Sequence, residues 1–408
     1  MYLPKGFYYA AIPAGIKENQ LDLALIYSKT SSACAATFTK NLVKAAPVLI
    51  DMEKMKYPPC WARAILVNSG NANACTGDKG IEDAFICIKE VKNKGEIPED
   101  EILVASTGVI GARLPVKKIT SGIKKLIDNL SESERALKDV ANAILTTDTK
   151  PKIVSKQIRL NDTLVNIVGI CKGAGMIGPD MSSVDNINSS AHATMLCFLM
   201  TDLLIDPILW QEILNEAVDK SFNKILVDGD TSTNDTVIAL ANGLCGNKIL
   251  TKSSKQYLRL KDTINEILYH LAEMIVEDGE GATKSVKIVV QGTKTKKDAL
   301  TIAKTIASSP LVKTAIYGED PNWGRIIAAA GRSGVYFNPE KLNLYIDEIK
   351  ILENGLPVGE MAEKEAAKRM KAQKFSIVLD ISQGEESEEV LTCDFSIDYV
   401  KINADYRT

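Results

Sequence analysis

Ala193-Thr194-Met195-Leu196 places a threonine between a small residue and an apolar run that ends in Thr201-Asp202. If the Ala193–Thr194 peptide is cut, Thr194 gains a free α-amino group with a pKa of about 7.7–8.0, unlike any amide nitrogen. Such an amine can deprotonate its own residue's hydroxyl, which makes Thr194 a candidate nucleophile. A threonine that caps or enters a buried helix explains the same four residues. The chain has two histidines, His192 and His270, so a histidine-based triad or a histidine-rich metal site has almost no raw material.

Seven further segments are rich in Gly, Asn, Thr and Asp, the residues of backbone-built sites rather than of cores. They are Asn68–Gly77, Ser106–Gly111, Thr146–Thr149, Lys172–Ile177, Asp228–Thr236, Glu277–Lys284 and Gly318–Arg325. Any one alone reads as a turn. Seven of them, mostly at the ends of expected elements, suggest one site assembled from many loops. Gly173-Ala-Gly175-Met-Ile-Gly178 satisfies the dinucleotide spacing G-x-G-x-x-G after an expected strand. The Pro179-Asp180 and Ser/Asn-rich stretch behind it is not the helix start on which a pyrophosphate would sit. Dinucleotide binding is therefore not the reading.

These loops need a scaffold, and the composition supplies one. The 408 residues are 45% hydrophobic and 25% charged, with 49 basic and 52 acidic side chains and a net charge of −3. That is a globular chain long enough for two or three domains or one large α/β assembly. A near-neutral balance leaves no bulk basic surface, so nucleic acid and anionic membrane are not expected partners. Met1–Gln20 lacks a basic stretch followed by an apolar core, and Met195–Ile205, the most apolar run, is too short to span a bilayer. The eight cysteines show no paired metal spacing and mostly sit in apolar contexts, as free thiols do in a reducing compartment. A cytoplasmic protein with no metal and no bound cofactor is expected.

Ser131-Glu-Ser-Glu134 predicts a capping box, with Leu137, Val140, Ala141 and Ile144 at helical spacing behind it. Asp206-Pro207 predicts a second helix start, and a third helix runs over 258–275. Strands are predicted at 64–67, 101–104, 153–160, 163–171, 285–291, 342–351, 375–379 and 390–402, the last as two strands. Gly384–Glu389 reads as a solvated acidic hairpin loop.

At this point the motifs become recognisable. From Pro4-Lys-Gly-Phe7 to Tyr406-Arg-Thr408, through Phe38-Thr-Lys-Asn41, Lys44-Ala-Ala-Pro47 and every segment above, the chain resembles the bifunctional ornithine acetyltransferase / N-acetylglutamate synthase family of arginine biosynthesis. The resemblance implies an α/β fold of stacked β-sheets flanked by helices, similar to N-terminal-nucleophile enzymes. It implies self-cleavage at Ala193–Thr194 into chains 1–193 and 194–408, which pair as a heterotetramer and form one catalytic assembly. Thr107 and Gly108 match the family's oxyanion hole. Thr146, Lys172, Thr194, Glu280, Asn403 and Thr408 match its substrate contacts. The implied reaction moves acetyl from N2-acetyl-L-ornithine to L-glutamate, with acetyl-CoA as a further acetyl substrate in some members.

One departure stands out. The family runs from its Pro-x-Met directly into Ala-Thr-Met-Leu, whereas here Ser182–His192 intervenes after Pro179-Asp-Met181. The insertion is polar and turn-prone, a loop by composition. Two alternatives to the transferase follow from these residues: a self-cleaving aminopeptidase or amidase that passes its acyl group to water, and an unprocessed, inactive homologue.

Overall fold

The computed structural model describes residues 1–184 and 195–405. These form two compact units, one of 1–223 with 230–272 and the other of 224–229 with 273–405. The sequence-implied chain boundary at 193/194 is a different division, and it falls inside the first unit.

In chain order the first unit contributes β1 (Phe7–Ile12), β2 (Leu23–Thr39), β3 (Cys60–Asn71), β4 (Ile102–Val109), β5 (Lys152–Leu160), β6 (Thr163–Lys172), β7 (Met181–Ser182) and β8 (Leu196–Thr201). The short β9 (Ile225–Leu226) belongs to the second unit, and β10 (Thr236–Ala241) returns to the first. The second unit continues with β11 (Ser285–Thr293), β12 (Asn343–Ile346), β13 (Ile349–Glu353), β14 (Leu356–Pro357), β15 (Lys374–Asp380) and β16 (Glu386–Cys393).

The first sheet runs β4-β3-β2-β10-β8-β6-β5, with β1 and β7 also paired to β2. Every residue of β8 and β10 is buried, as expected of central strands covered on both faces. These two strands run parallel, Leu196 opposite Thr236. Along β2 successive side chains alternate between two cores. Ala24 and Ile26 join Leu137, Val140 and Ala141 of the helix Glu134–Ala143. Leu23 and Leu25 join Ile88, Val91, Ile123 and Leu126 of the helices Gly77–Gly95 and Val116–Asp128. The second sheet runs β14-β13-β12-β15-β11-β16-β9. Val286, Ile288 and Val290 of β11 pack there with Ile302, Ile306, Val312 and Ile326 from three helices. The mixed α/β class, two sheets flanked by helices, is what the sequence implied.

Several local expectations need correction. Ser131 is held in a backbone bridge with Tyr9, so the cap moves to Ser133, whose hydroxyl accepts from the Ala136 N–H at 3.2 Å. Glu134 turns to Lys138 and to the Met1 ammonium instead of reaching back. The run 342–351 is a hairpin, β12 and β13, turning at Asp347 with φ of 49°. That turn carries no Gly or Pro; the Asp347 carboxylate holds it by accepting from the Ser376 N–H and hydroxyl. The run 390–402 is one strand end and then the helix Ile397–Asp405, because the Ser396 hydroxyl accepts from the Asp398 and Tyr399 amides and starts a helix. The acidic loop is shorter than expected, since Glu386–Glu389 lie in β16, where Glu388 pairs with Lys224 and Glu389 with Lys287. Met195 leads into strand β8, not a helix. Among the described residues no helix is long and apolar enough to cross a membrane. Of the insertion, Ser182 pairs with Phe38 in β7–β2; the rest from Asp185 lies outside the described residues.

Candidate active site

Thr107 and Gly108 stand near the end of β4, parallel to β3, where the ladder shifts register between Gly70 and Asn71. The shift brings the two backbones close. Gly108 has φ of 130°, and a Cβ there would lie 2.4 Å from the Gly70 carbonyl carbon. Only glycine satisfies both demands. Thr107 is buried, and its preceding residue is fixed on both sides. The Ser106 hydroxyl donates to Asn68 Oδ1 at 2.6 Å, and the Ser106 carbonyl accepts from Asn234 Nδ2 at 2.8 Å.

Lys172, the last residue of β6, is not the surface lysine that its residue type favours; it is 2% exposed. Its Nζ donates to Thr146 Oγ1 at 2.8 Å and to Thr107 Oγ1 at 3.4 Å, and lies 3.7 Å from Asp148 Oδ2. A hydroxyl that accepts from an ammonium keeps its own O–H as a donor. Thr107 and Thr146 are thus joined through one cation, each with a proton to offer.

Asp148 anchors that cation. Its carboxylate accepts from Lys152 Nζ at 2.7 Å and from the Gly173 N–H at 2.7 Å, with both side chains of the Asp148–Lys152 pair fully removed from solvent. Burial alone would raise its pKa, but the Lys172 and Lys152 charges and the two hydrogen bonds hold the carboxyl well below the usual range. The Gly173 amide is thereby spent on Asp148, and no helix follows it before β7. The fingerprint G-x-G-x-x-G is a loop here.

The second unit assembles its own set. Glu280 is 7% exposed, and its Oε2 accepts from Asn403 Nδ2 at 2.8 Å. The Glu280 loop is clamped by the C-terminal segment: Asp394 accepts from the Thr283 and Lys284 amides and the Thr283 hydroxyl, and the Ser396 hydroxyl donates to the Gly281 carbonyl at 2.6 Å. Gly281, with φ of 68°, sits so close that a Cβ would lie 2.4 Å from the Tyr399 nitrogen. Ala193, Thr194, His192 and Thr408 lie outside the described residues. Met195, next to Thr194, is described: its N–H donates to the Asp235 carboxylate.

A family model described as the ArgJ family matches residues 8–408. The chain belongs to the ArgJ family. It is 45% identical, over the full length of both chains, to the arginine biosynthesis bifunctional protein ArgJ of Thermotoga neapolitana. It is 44% identical to the glutamate N-acetyltransferase of Methanocaldococcus jannaschii, covering 99% of this chain and 98% of that one. A crystal structure of the arginine biosynthesis bifunctional protein ArgJ of Bacillus halodurans is 40% identical. It covers 50% of this chain and 96% of that one with a TM-score of 0.49.

In this ArgJ-family chain the structure joins Thr107, Gly108, Thr146 and Lys172 in one unit and Glu280 with Asn403 in the other. Sequence reasoning on single residues passed over Asp148, Asn234 and Asp235. Their signal was present in the Thr146–Thr149 and Asp228–Thr236 segments, where a buried Asp or Asn beside threonines marks a side chain that binds backbone rather than water.

Proposed function

We propose that this chain transfers acetyl from N2-acetyl-L-ornithine to L-glutamate through an acetyl-Thr194 intermediate, after cutting itself at Ala193–Thr194. The observation that carries this reading is full-length identity of 44–45% to proteins called bifunctional ArgJ and glutamate N-acetyltransferase. The geometry around Thr107 and Lys172 supports it.

The chemistry follows from the residues. The Thr194 hydroxyl attacks the acetyl carbonyl of acetylornithine, its proton passing to the Thr194 α-amine. Donors at Thr107 and Gly108 stabilise the tetrahedral oxyanion, a service worth roughly 10²–10³ in rate per donor. The C–N bond breaks, the departing ornithine amine takes the proton, and an acetyl ester remains on Thr194. The glutamate amine then attacks that ester, releasing N-acetylglutamate and restoring the hydroxyl. Lys172 and Thr146 serve the substrate and the Thr107 hydroxyl from one side, with Lys172 suited to a carboxylate. Glu280 suits a substrate ammonium, with Asn403 and Thr408 as further contacts. We extend the reading to acetyl-CoA as a second acetyl donor, to a heterotetramer of two copies of each chain, and to a cytoplasmic setting, as the resemblance implies.

The test is an assay of purified protein with acetylornithine and glutamate. Parallel double-reciprocal lines and glutamate-dependent loss of acetylornithine are expected of a covalent acetyl enzyme. Acetate release at the same rate with and without glutamate would overturn the transfer in favour of hydrolysis.

A further inference from the structure

Two consecutive side chains in the Asp228–Thr236 segment reach in different directions. Asn234, 1% exposed, spends both Nδ2 protons on backbone carbonyls, Ala72 at 2.7 Å and Ser106 at 2.8 Å. Ala72 directly follows the β3 register shift, and Ser106 directly precedes Thr107. One carboxamide therefore ties together the two strands, β3 and β4, near the paired Gly70 and Gly108. Its Oδ1 is fixed in turn by the Thr233 hydroxyl, and its own amide donates to Ser232 Oγ at 3.0 Å.

Asp235 is fully buried and accepts the Met195 N–H. That N–H belongs to the peptide bond whose carbonyl carbon is Thr194's own. The next residue closes the same grip, since the Thr236 N–H donates to the Met195 carbonyl at 3.1 Å. The backbone of the loop is itself pinned within the first unit. The Asp235 carbonyl accepts from the Thr39 N–H at 2.9 Å and the Thr233 carbonyl from the Ala45 N–H at 2.9 Å.

We infer that Asn234 and Asp235 are paired positioning residues, which set the Thr107–Gly108 strand segment and the Met195 backbone, next in sequence to Thr194, at a fixed separation for both self-cleavage and acetyl transfer. Neither residue touches substrate; each acts through the backbone that it holds. The inference rests on the proposed roles of Thr194, Thr107 and Gly108. A polar loop has cheaper ways to satisfy itself than by placing both donors of one asparagine on the two strands beside the expected oxyanion site.

The state of Asp235 sharpens the test. Burial pushes its carboxyl well above the usual range, against the opposing pull of the Met195 amide, the Lys172 charge and the Ser232 backbone. Its second oxygen has no hydrogen-bond partner among the described residues. Burial thus favours the neutral form, and an asparagine of the same shape keeps an oxygen that can accept from Met195.

The experiment compares Asn234→Ala, Asn234→Asp, Asp235→Ala and Asp235→Asn with wild type and with Thr194→Ala. The readouts are intact mass, for cleavage, and kcat and KM, for transfer. Asn234→Ala and Asp235→Ala are expected to slow cleavage and lower kcat by about 100-fold, the scale for misplacing reacting groups by about 1 Å. KM is expected to stay within about threefold, because ground-state binding is not touched. Asp235→Asn is expected to rescue both activities to within about tenfold of wild type. If Asn234→Ala does not fold, Asn234→Asp carries the test, having the same shape without the two N–H donors.

Cleavage and kcat at wild-type levels in Asn234→Asp and Asp235→Ala would overturn the inference, as would an Asp235→Asn variant no better than Asp235→Ala. If wild type itself does not transfer acetyl, or Thr194→Ala still does, the functional reading has failed instead.

Discussion

Asp148 and Lys152 form an ion pair of 2.7 Å with neither side chain exposed to solvent. A buried pair of this kind adds little over an apolar pair, yet breaking it strands a charge. Asp148→Asn should therefore destabilise the protein by about 3–5 kcal/mol, seen as a lower denaturation midpoint. An unchanged midpoint would mean that Lys152 finds another anion.

The same carboxyl fixes a pH dependence. Its folded pKa is depressed below the unfolded value of about 3.9. The unfolded chain thus binds the proton first, and stability falls as pH drops below about 4. The contribution is fully present above that pH. Wild type should lose more stability than Asp148→Asn between about pH 4 and pH 2.5, measured by urea titration at each pH.

Lys172 donates to the Thr107 and Thr146 hydroxyls at once. Lys172→Met keeps the bulk and removes the cation, while Asp148 retains Lys152 as its partner. The expected result is a loss of about 10²-fold in kcat/KM for acetyl transfer with the fold intact by circular dichroism. A loss below about threefold would remove Lys172 from the machinery.

Much of this was legible in the sequence, and what was not has physical causes. The helix at Asp206-Pro207 follows from local chemistry and appears as expected, with the Asp206 side chain accepting from the Leu209 N–H at 2.9 Å. The Ser131 cap failed because a distant partner, Tyr9, claimed its backbone. The 390–402 run failed because apolar spacing alone could not see that Ser396 starts a helix. Thr107, Thr146 and Lys172 carried the chemistry in their motifs. Their mutual distances could not be read, because they depend on the pairing of β4 with β3 and of β6 with β5 and β8, contacts among residues far apart in the chain.

Gly108 gives a sharp steric test. Gly108→Ala places a Cβ 2.4 Å from the Gly70 carbonyl carbon and 2.6 Å from the Asn71 nitrogen, at a φ that alanine avoids. Backbone must move, at a cost of about 1–3 kcal/mol, and the motion falls on the end of β4 beside Thr107. Acetyl transfer should drop far more than stability does. Equal turnover per folded molecule would show that the strand end tolerates displacement and that the tight fit at Gly108 does not set the rate.

The sheet order decides what the proposed cut before Thr194 would do to the molecule. β8 and β10 follow residue 194, whereas β2 and β6 precede it. In the sheet, β10 lies between β2 and β8, and β8 lies between β10 and β6. In this sheet each border between strands before and after residue 194 is a full ladder, Ala33–Phe38 with Thr236–Ala241 on one side and Ile167–Lys172 with Leu196–Thr201 on the other. Separating the chains would expose two rows of backbone donors and acceptors together with the fully buried side chains of both central strands. Cutting Ala193–Thr194 should therefore leave one particle. A denaturing gel of the mature protein is expected to resolve two bands while native size exclusion shows a single peak containing both. Elution of the two fragments in separate peaks without denaturant would mean that the ladders do not hold the chains, and that cleavage remodels the sheet.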